Sequence, residues 1–324
     1  MISPRIALLP VLCLLAVGAA SASDASGYPA RPVRFIVPFG TGGSADLTAR
    51  LFAQKLTESL GQSFVIDNRT GAGGIVGAEI GARSTPDGYT VVLGSFGTHT
   101  ANPILHPKLS YDPIRDFAPV SLMAIVPTIL VVHPTVPAKT VADLIALAKA
   151  KPGALNYASS GTGTGTHLAG ELFKNLAAVD MVHVPYKSAG TAITDLVAGQ
   201  VQLMYSTLPS VLPLVKSGKL RALGITTAKR SDALPDVPAI GESLKTYDVA
   251  TWFGALAPAG TPRPIVDTLA GEIRKAAAMP DVRARLVTLG AEPVGNTPKE
   301  FAHYIRAEIA KWTRVIRAAN IKAD

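Results

Sequence analysis

Phe39-Gly40-Thr41-Gly42-Gly43-Ser44-Ala45-Asp46 follows the apolar run Val33-Arg34-Phe35-Ile36-Val37 and precedes Ala49, Phe52, Leu56 and Leu60, which recur at helical spacing. The pattern reads as strand, glycine loop and helix. Three glycines let the backbone turn sharply and approach a ligand closely, and the first N–H groups of the new helix lack partners within it. Such an end attracts anions, and Thr41 and Ser44 add hydroxyls without adding charge. Ser44 as a plain helix cap fits the same residues equally well.

The pattern recurs along the chain. Phe64-Val65-Ile66 leads into Gly71-Ala72-Gly73-Gly74 and a small-residue helix from Ile75 to Ala82, and Tyr89 to Leu93 leads into Gly94-Ser95-Phe96-Gly97-Thr98-His99. In open parallel α/β sheets, ligands bind in the crevice outside the carboxyl ends of the strands, where these loops fall. After a proline-spaced segment, Asn102 to Pro119, the long apolar run Val120 to Val132 is interrupted by Pro127. This predicts a strand that leaves one sheet and enters another, with the proline at the changeover. Strand-helix alternation then resumes. Leu155-Asn156-Tyr157-Ala158 precedes the loop Ser159 to His167, and Leu168, Leu172, Phe173 and Leu176 mark its helix. Further strands are expected at Met181–Val184, Val201–Tyr205, Leu220–Ile225 and Trp252–Ala257, with helices over 265–278, 281–289 and 298–319. Both ends of the chain then build one lobe, and the middle builds the other.

The 324 residues suffice for two domains with real cores. Met1 to Arg5 carries one positive charge, Ile6 to Val17 is almost wholly apolar, and Ala20-Ser21-Ala22 is a small-x-small site. Together these predict a secretory signal peptide cleaved after Ala22, with an apolar run too short to span a bilayer well. The single cysteine, Cys13, would leave with it, so no disulfide or thiol chemistry is expected. Losing Arg5 with the leader lowers the formal charge of +8 to +7. Basic residues are scattered singly or in pairs such as Lys229-Arg230, without the basic run and interleaved aromatics that nucleic acid needs.

Enzymatic motifs are absent. Gly161-Thr162-Gly163-Thr164-Gly165 invites a dinucleotide reading, but the acidic residue expected at the end of the next strand is missing; Asp180 precedes that strand, which closes on His183 to Tyr186. No Gly-x-Ser-x-Gly elbow or Walker loop occurs, and no pair among His99, His106, His133, His167, His183 and His303 has metal-ligand spacing. No cofactor and no metal are expected. His167 fits a ligand group and a helix-cap or hinge hydrogen-bonder equally, and Asp46 with Arg50 has the spacing of a local helical ion pair. Tyr186 and Tyr205 close strands of the second lobe, and Tyr186 is the one assigned to the cleft wall.

The accumulated residues resemble one family, the Bug-type extracytoplasmic receptors of tripartite tricarboxylate transporters. The likeness is carried by Pro38-Phe39 with Gly42-Gly43-x-x-Asp46-x-x-Ala49-Arg50, by Asn68-Arg69-x-Gly71-Ala72-Gly73-Gly74, and by Ser160-Gly161 through His167-Leu168-Ala169-Gly170-Glu171. Val184-Pro185-Tyr186-Lys187, Asp195-Leu196-x-x-Gly199-x-Val201 and Gly218-Lys219-Leu220-Arg221-Ala222-Leu223 extend it over essentially the whole mature chain. It implies an α/β, two-lobe periplasmic binding fold of the type II, Venus-flytrap kind, with two crossover strands and mainly parallel sheets. Residues 23–126 plus 253–324 form one lobe, 127–252 the other, and 1–22 the signal peptide. It further implies a periplasmic, non-enzymatic, monomeric receptor that captures a small carboxylate, held largely by backbone amides, and delivers it to a membrane permease.

Carried over by motif, the ligand-binding residues are Phe39, Gly42, Gly43, Ser44, Ala45 and Asp46, with Gly71, Ala72, Gly73, Gly74, Ser95 and Thr98 beside them. Ser160, Gly161, Thr164, Thr166, His167, Tyr186 and Lys187 close from the second lobe. Ser206 stands where the family often has an acid, which favours di- or tricarboxylates or aromatic carboxylates over amino acids. The rival readings are a secreted α/β hydrolase acting on a carboxylate or ester, with a nucleophile-base pair among Ser44, Ser95, Ser160 and His167, and a sensing module for a signalling partner.

Overall fold

A computed structural model describes residues 27–186, 188–231, 234–318 and 321. The expected signal peptide and Lys187 lie outside the described residues.

The chain opens with β1 (Val33–Val37), α1 (Ser44–Leu60), β2 (Phe64–Asn68), α2 (Ile75–Ala82), β3 (Thr90–Ser95) and the short α3 (Asn102–Leu105). The long β4 (Phe117–Val132) leads into α4 (Val141–Ala150), β5 (Asn156–Ser159), α5 (Gly165–Ala177), β6 (Val182–Pro185) and α6 (Ala189–Val197). Then come β7 (Leu203–Thr207), α7 (Leu208–Lys216), β8 (Arg221–Ile225), β9 (Ala250–Pro258), α8 (Arg263–Ala278), α9 (Pro280–Thr288), β10 (Glu292–Pro293) and α10 (Pro298–Ala318).

The strands run in the order β2-β1-β3-β9-β4-β7-β5-β6, with β10 and β8 also on β4. Helix-connected neighbours pair in parallel: β1 with β2 and β3, and β5 with β6 and β7. The strands that join the two halves pair antiparallel, because the chain returns along its own path. β9 lies against β3 and β4, and β4 lies against β7 and β8. At Pro127 the long strand changes partners. Its ladder to β9 runs from Phe117 to Pro127, and its ladder to β7 begins at Thr128. A proline at a change of ladder breaks no continuous run of hydrogen bonds, which is where strands tolerate one.

Each half builds its core from the predicted faces. Phe35 and Val37 of β1, Ala49, Phe52 and Leu56 of α1, and Ile265, Leu269 and Ile273 of α8 pack together without solvent. Each large side chain buried in this way contributes ~1.5–3 kcal/mol. In the other half, Leu168, Leu172 and Phe173 of α5 pack on Tyr157 and Tyr205, while Met204, Leu208 and Val211 meet α6 on the opposite face. On α10 the buried Phe301 and Trp312 meet Trp252 and Phe96. Parallel strands in each half thus send their C-terminal loops to a common edge.

Candidate functional site

The first clamp is the loop between β1 and α1. Gly43, not Ser44, occupies the N-cap position of α1, and no side chain caps the helix. Ser44 is the first helical residue, so its plain capping role is corrected: the cap residue has no side chain to spend. The first N–H groups of a 17-residue helix therefore face the loop with the positive end of its dipole.

Asp46 holds that loop in shape. Its carboxylate accepts from Gly42 N at 2.9 Å, from Arg50 Nε at 2.9 Å and from Asn68 Nδ2 at 3.0 Å. The same Asn68 amide donates to Phe39 O at 2.9 Å, tying the loop to the end of β2. Burial opposes ionisation of Asp46, but the bonds from Arg50, Gly42 and Asn68 outweigh it and hold the carboxyl below its ordinary value. Both carboxylate oxygens of Asp46 are committed to these partners.

The neighbouring loop, Gly71 to Gly74, packs under Phe39. A Cβ at Gly74 would stand 2.8 Å from the Thr98 methyl and 3.2 Å from the Phe39 ring, so only glycine permits the stack. Ser95 and Thr98 lie below it, both buried, with their hydroxyls 3.1 Å apart and bonded to each other's backbone. They form the floor of the loop and present no free hydroxyl. His99 beside them bonds Thr98 Oγ1 through Nδ1 at 2.9 Å, and complete burial pushes its imidazole down to about 3, which keeps it neutral.

The second-lobe loop is braced from within. Ser160 Oγ and Thr166 Oγ1 lie 2.9 Å apart, Thr164 Oγ1 donates to Gly161 O at 2.6 Å, and Thr164 caps α5 by accepting from His167 N. His167 is buried and accepts from Gly163 N through Nδ1 at 3.2 Å, while its ring stacks on His183 at 4.1 Å. His183 in turn stacks on Tyr157 and contacts Ser159 Oγ at 2.7 Å through Nε2. The Ser–His contact of this loop is therefore Ser159–His183, outside the nucleophile-base pairs expected from sequence. Ser159 is buried and accepts from Gly161 N, so it shapes the loop.

Tyr186 donates its hydroxyl to Asp195 at 2.8 Å, and burial together with that carboxylate pushes the phenol up to about 12. It walls the loop with its backbone; a Cβ at Gly161 would stand 3.3 Å from Tyr186 O. Ser206 is fully buried, and its hydroxyl has no hydrogen-bond partner among the described residues.

The structure thus brings Phe39 to Asp46, Gly71 to Gly74 and Thr98 together on one side, and Ser160 to His167 with Tyr186 on the other. Asn68, Asn102, Ser159 and His183 complete this arrangement but escaped the sequence reading. Asn68 opened the quoted motif Asn68-Arg69-x-Gly71-Ala72-Gly73-Gly74 without being assigned a role; for Asn102 and His183 no local signal marks the role. A surface groove of about 590 Å³, lined by residues including Ile104, Ile114, Ile309 and Ile316, lies apart from these loops on α3 and α10. Among the described residues no three His, Cys, Asp or Glu side chains cluster to hold a metal, and no helix is long and apolar enough to cross a membrane.

Known proteins with the same organisation supply the context. The family model described as "Tripartite tricarboxylate transporter family receptor" matches residues 48–321. BugT of Bordetella pertussis is 38% identical over 307 residues, spanning 94% of either chain. An R. palustris protein solved with adipate superimposes with a TM-score of 0.86 at 40% identity, covering 91% of this chain and 99% of its own. MatC from Rhodopseudomonas palustris with bound malate gives 0.81 at 36% identity, covering 89% of this chain and 100% of its own.

Proposed function

Because the chain belongs to the tripartite tricarboxylate transporter receptor family, we propose that it is a periplasmic receptor that closes two lobes on a small dicarboxylate and delivers it to the family's membrane permease. Members of this family are solute-binding receptors, not enzymes. The observation that carries the ligand class is the uncapped N-terminus of α1 beside the Gly71–Gly74 loop. Backbone amides and a helix dipole suit a carboxylate, and they bind it without a buried cation whose desolvation would cost more than the pair returns.

The same site disfavours a ligand amine. The Asp46 carboxylate is consumed by Gly42, Arg50 and Asn68, and Ser206 stands where the family resemblance implies an acid able to pair with an ammonium. A linear or hydroxylated dicarboxylate, as in the relatives solved with adipate and malate, fits better than an amino acid. The ligand carboxylate would meet Gly43, Ser44 and Ala45 and the Gly71–Gly74 backbone, with Ser160 to Thr166 closing over it. The receptor would act as a monomer, with export directed by residues 1–22.

Calorimetric and thermal-shift titration against adipate, malate, citrate, benzoate, aspartate and glutamate tests this reading. A true ligand at ~100 times its dissociation constant stabilises the fold by about 2.7 kcal/mol and raises the melting temperature by a few degrees. The expected result is a response to adipate or malate, with aspartate and glutamate silent and the bound acid recovered unchanged. Tight aspartate binding without a dicarboxylate response would remove the ligand assignment; turnover of the bound acid would restore the hydrolase.

A further inference from the structure

Asn102 opens α3 in the first lobe, is only 2% exposed, and was assigned no role from sequence. Its Nδ2 donates to Gly73 O at 3.1 Å, within the glycine loop of its own lobe. Its other face meets the opposite lobe. A Cβ built on Gly163 would stand 3.2 Å from Asn102 Oδ1 and 3.5 Å from the Leu105 side chain. At Gly73 a Cβ would stand 3.8 Å from both amide atoms of Asn102 and 3.9 Å from Thr162 O of the second lobe. The carboxamide is thus bonded to Gly73 of its own lobe and lies next to Gly163 of the other.

The opposing surface is stiff. Gly163 has φ +76°, a conformation that L side chains rarely adopt, and its N–H is fixed by the His167 ring, which stacks on His183. Two residues on, Gly165 seats the start of α5 so closely that a Cβ would stand 2.7 Å from Thr251 Oγ1 and 3.4 Å from the Phe96 ring. At Gly163 and Gly165 the loop therefore meets Asn102, Leu105 and Phe96 of the first lobe with backbone rather than a side chain of its own.

We propose that Asn102 is an interlobe latch: its carboxamide, seated between Gly73 and Gly163, stabilises the closed pair of lobes and so sets ligand affinity without touching the ligand. This deepens the receptor reading and rests on it. A receptor whose binding-competent form is fractionally populated shows a dissociation constant divided by that fraction, so a change at the latch alters affinity through closure alone. Asn102 is a positioning residue in this scheme, and Gly163 is its seat.

The test is a double-mutant cycle on the full chain with Asn102→Ala, Gly163→Ala and the double variant, using adipate as probe. Calorimetry gives affinity, small-angle X-ray scattering gives the radius of gyration with and without adipate, and the melting temperature without adipate reports folding. Gly163→Ala is expected to weaken adipate about tenfold and to abolish most of the ligand-induced compaction, and Asn102→Ala to weaken it several-fold. The double variant should bind better than the product of the two losses, because removing the carboxamide relieves the steric part of the Gly163→Ala cost, while the cost of its positive φ remains. Independent, multiplying losses, or full compaction in both single variants, would overturn the latch. If the wild type itself neither binds nor compacts with any carboxylate, the receptor assignment fails instead. The ligand-free radius then decides the latch: equal values for wild type and Gly163→Ala refute it, and a larger value for the variant upholds it.

Discussion

Asp46 shows how a residue at the proposed binding loop can serve binding by shaping the turn. In sequence it is an acid in the first turn of a helix; in the structure its carboxylate fastens Gly42, Arg50 and Asn68 around the turn. Replacing it by Asn removes the charge and leaves one oxygen for three donors. Asp46→Asn is expected to weaken adipate binding about tenfold, equivalent to ~1.4 kcal/mol, measured by calorimetry at neutral pH. The pH dependence follows from the sign of the shift. A carboxyl held below its ordinary value of 3.8 contributes its full stability above about pH 4 and loses it as the pH falls through the folded-state value. Acid unfolding followed by circular dichroism should accordingly be shallower below about pH 4 in Asp46→Asn than in wild type; an unchanged acid limb would show that Asp46 carries no such load.

Among the elements, α10 decides how the ends of the chain are tied together. Its Phe301 ring fills the space above Gly254 of β9, where a Cβ would stand 2.2 Å from Cζ. Farther along, Trp312 meets Phe96 edge-on at 5.0 Å, directly beneath the loop that receives α5. Gly254→Ala forces the buried ring out of its place and should cost ~1–3 kcal/mol, read as a lower urea midpoint with unchanged slope. A neutral result would mean that α10 shifts freely on the sheet. α7 went unforeseen for a different reason. Leu208 to Lys216 contains Pro209 and Pro213, which locally argue against a helix, yet Pro209 falls in the first turn and Leu208 and Val211 are buried. Burial of an apolar face overrode the local preference.

At the scale of the whole molecule, two strands make one body of two halves. β4 changes partners between Pro127 and Thr128, and β9 starts at Ala250 opposite Pro127, so the lobes share continuous backbone in both. We take 23–126 with 253–324, and 127–252, as the lobes. Unfolding one half frays the strands that complete the other, so heat or urea should produce a single cooperative transition. Near- and far-ultraviolet circular dichroism are expected to coincide through the transition; two separated midpoints would mean the crossovers do not couple the lobes. Trp252, on the crossover strand β9, and Trp312, on α10, pack against Phe301 and Phe96 of the first half, so their fluorescence offers a local report on closure.

Alternation of short apolar runs, glycine loops and 3.6-periodic helices was sufficient to determine the α/β class, the order of nearly all elements and the change of sheet at Pro127, because these depend on local backbone preference and on which face must be buried. The glycine motifs also located the loops that carry the candidate site. Apart from the Asp46–Arg50 pair, whose i,i+4 spacing is legible in the sequence, which atoms in those loops are free and which are spent was decided by tertiary structure. Asp46, Ser95, Thr98, Thr166 and His167 have the chemistry of ligand groups, and their partners include Asn68, Ser160, Gly163 and one another. Asn102 has no local signature at all, and its position between Gly73 and Gly163 exists only once strands distant in sequence bring two glycine loops face to face. Hydrogen bonds are satisfied by whatever the fold places within ~3 Å, and that proximity is a property of packing, not of spacing along the chain.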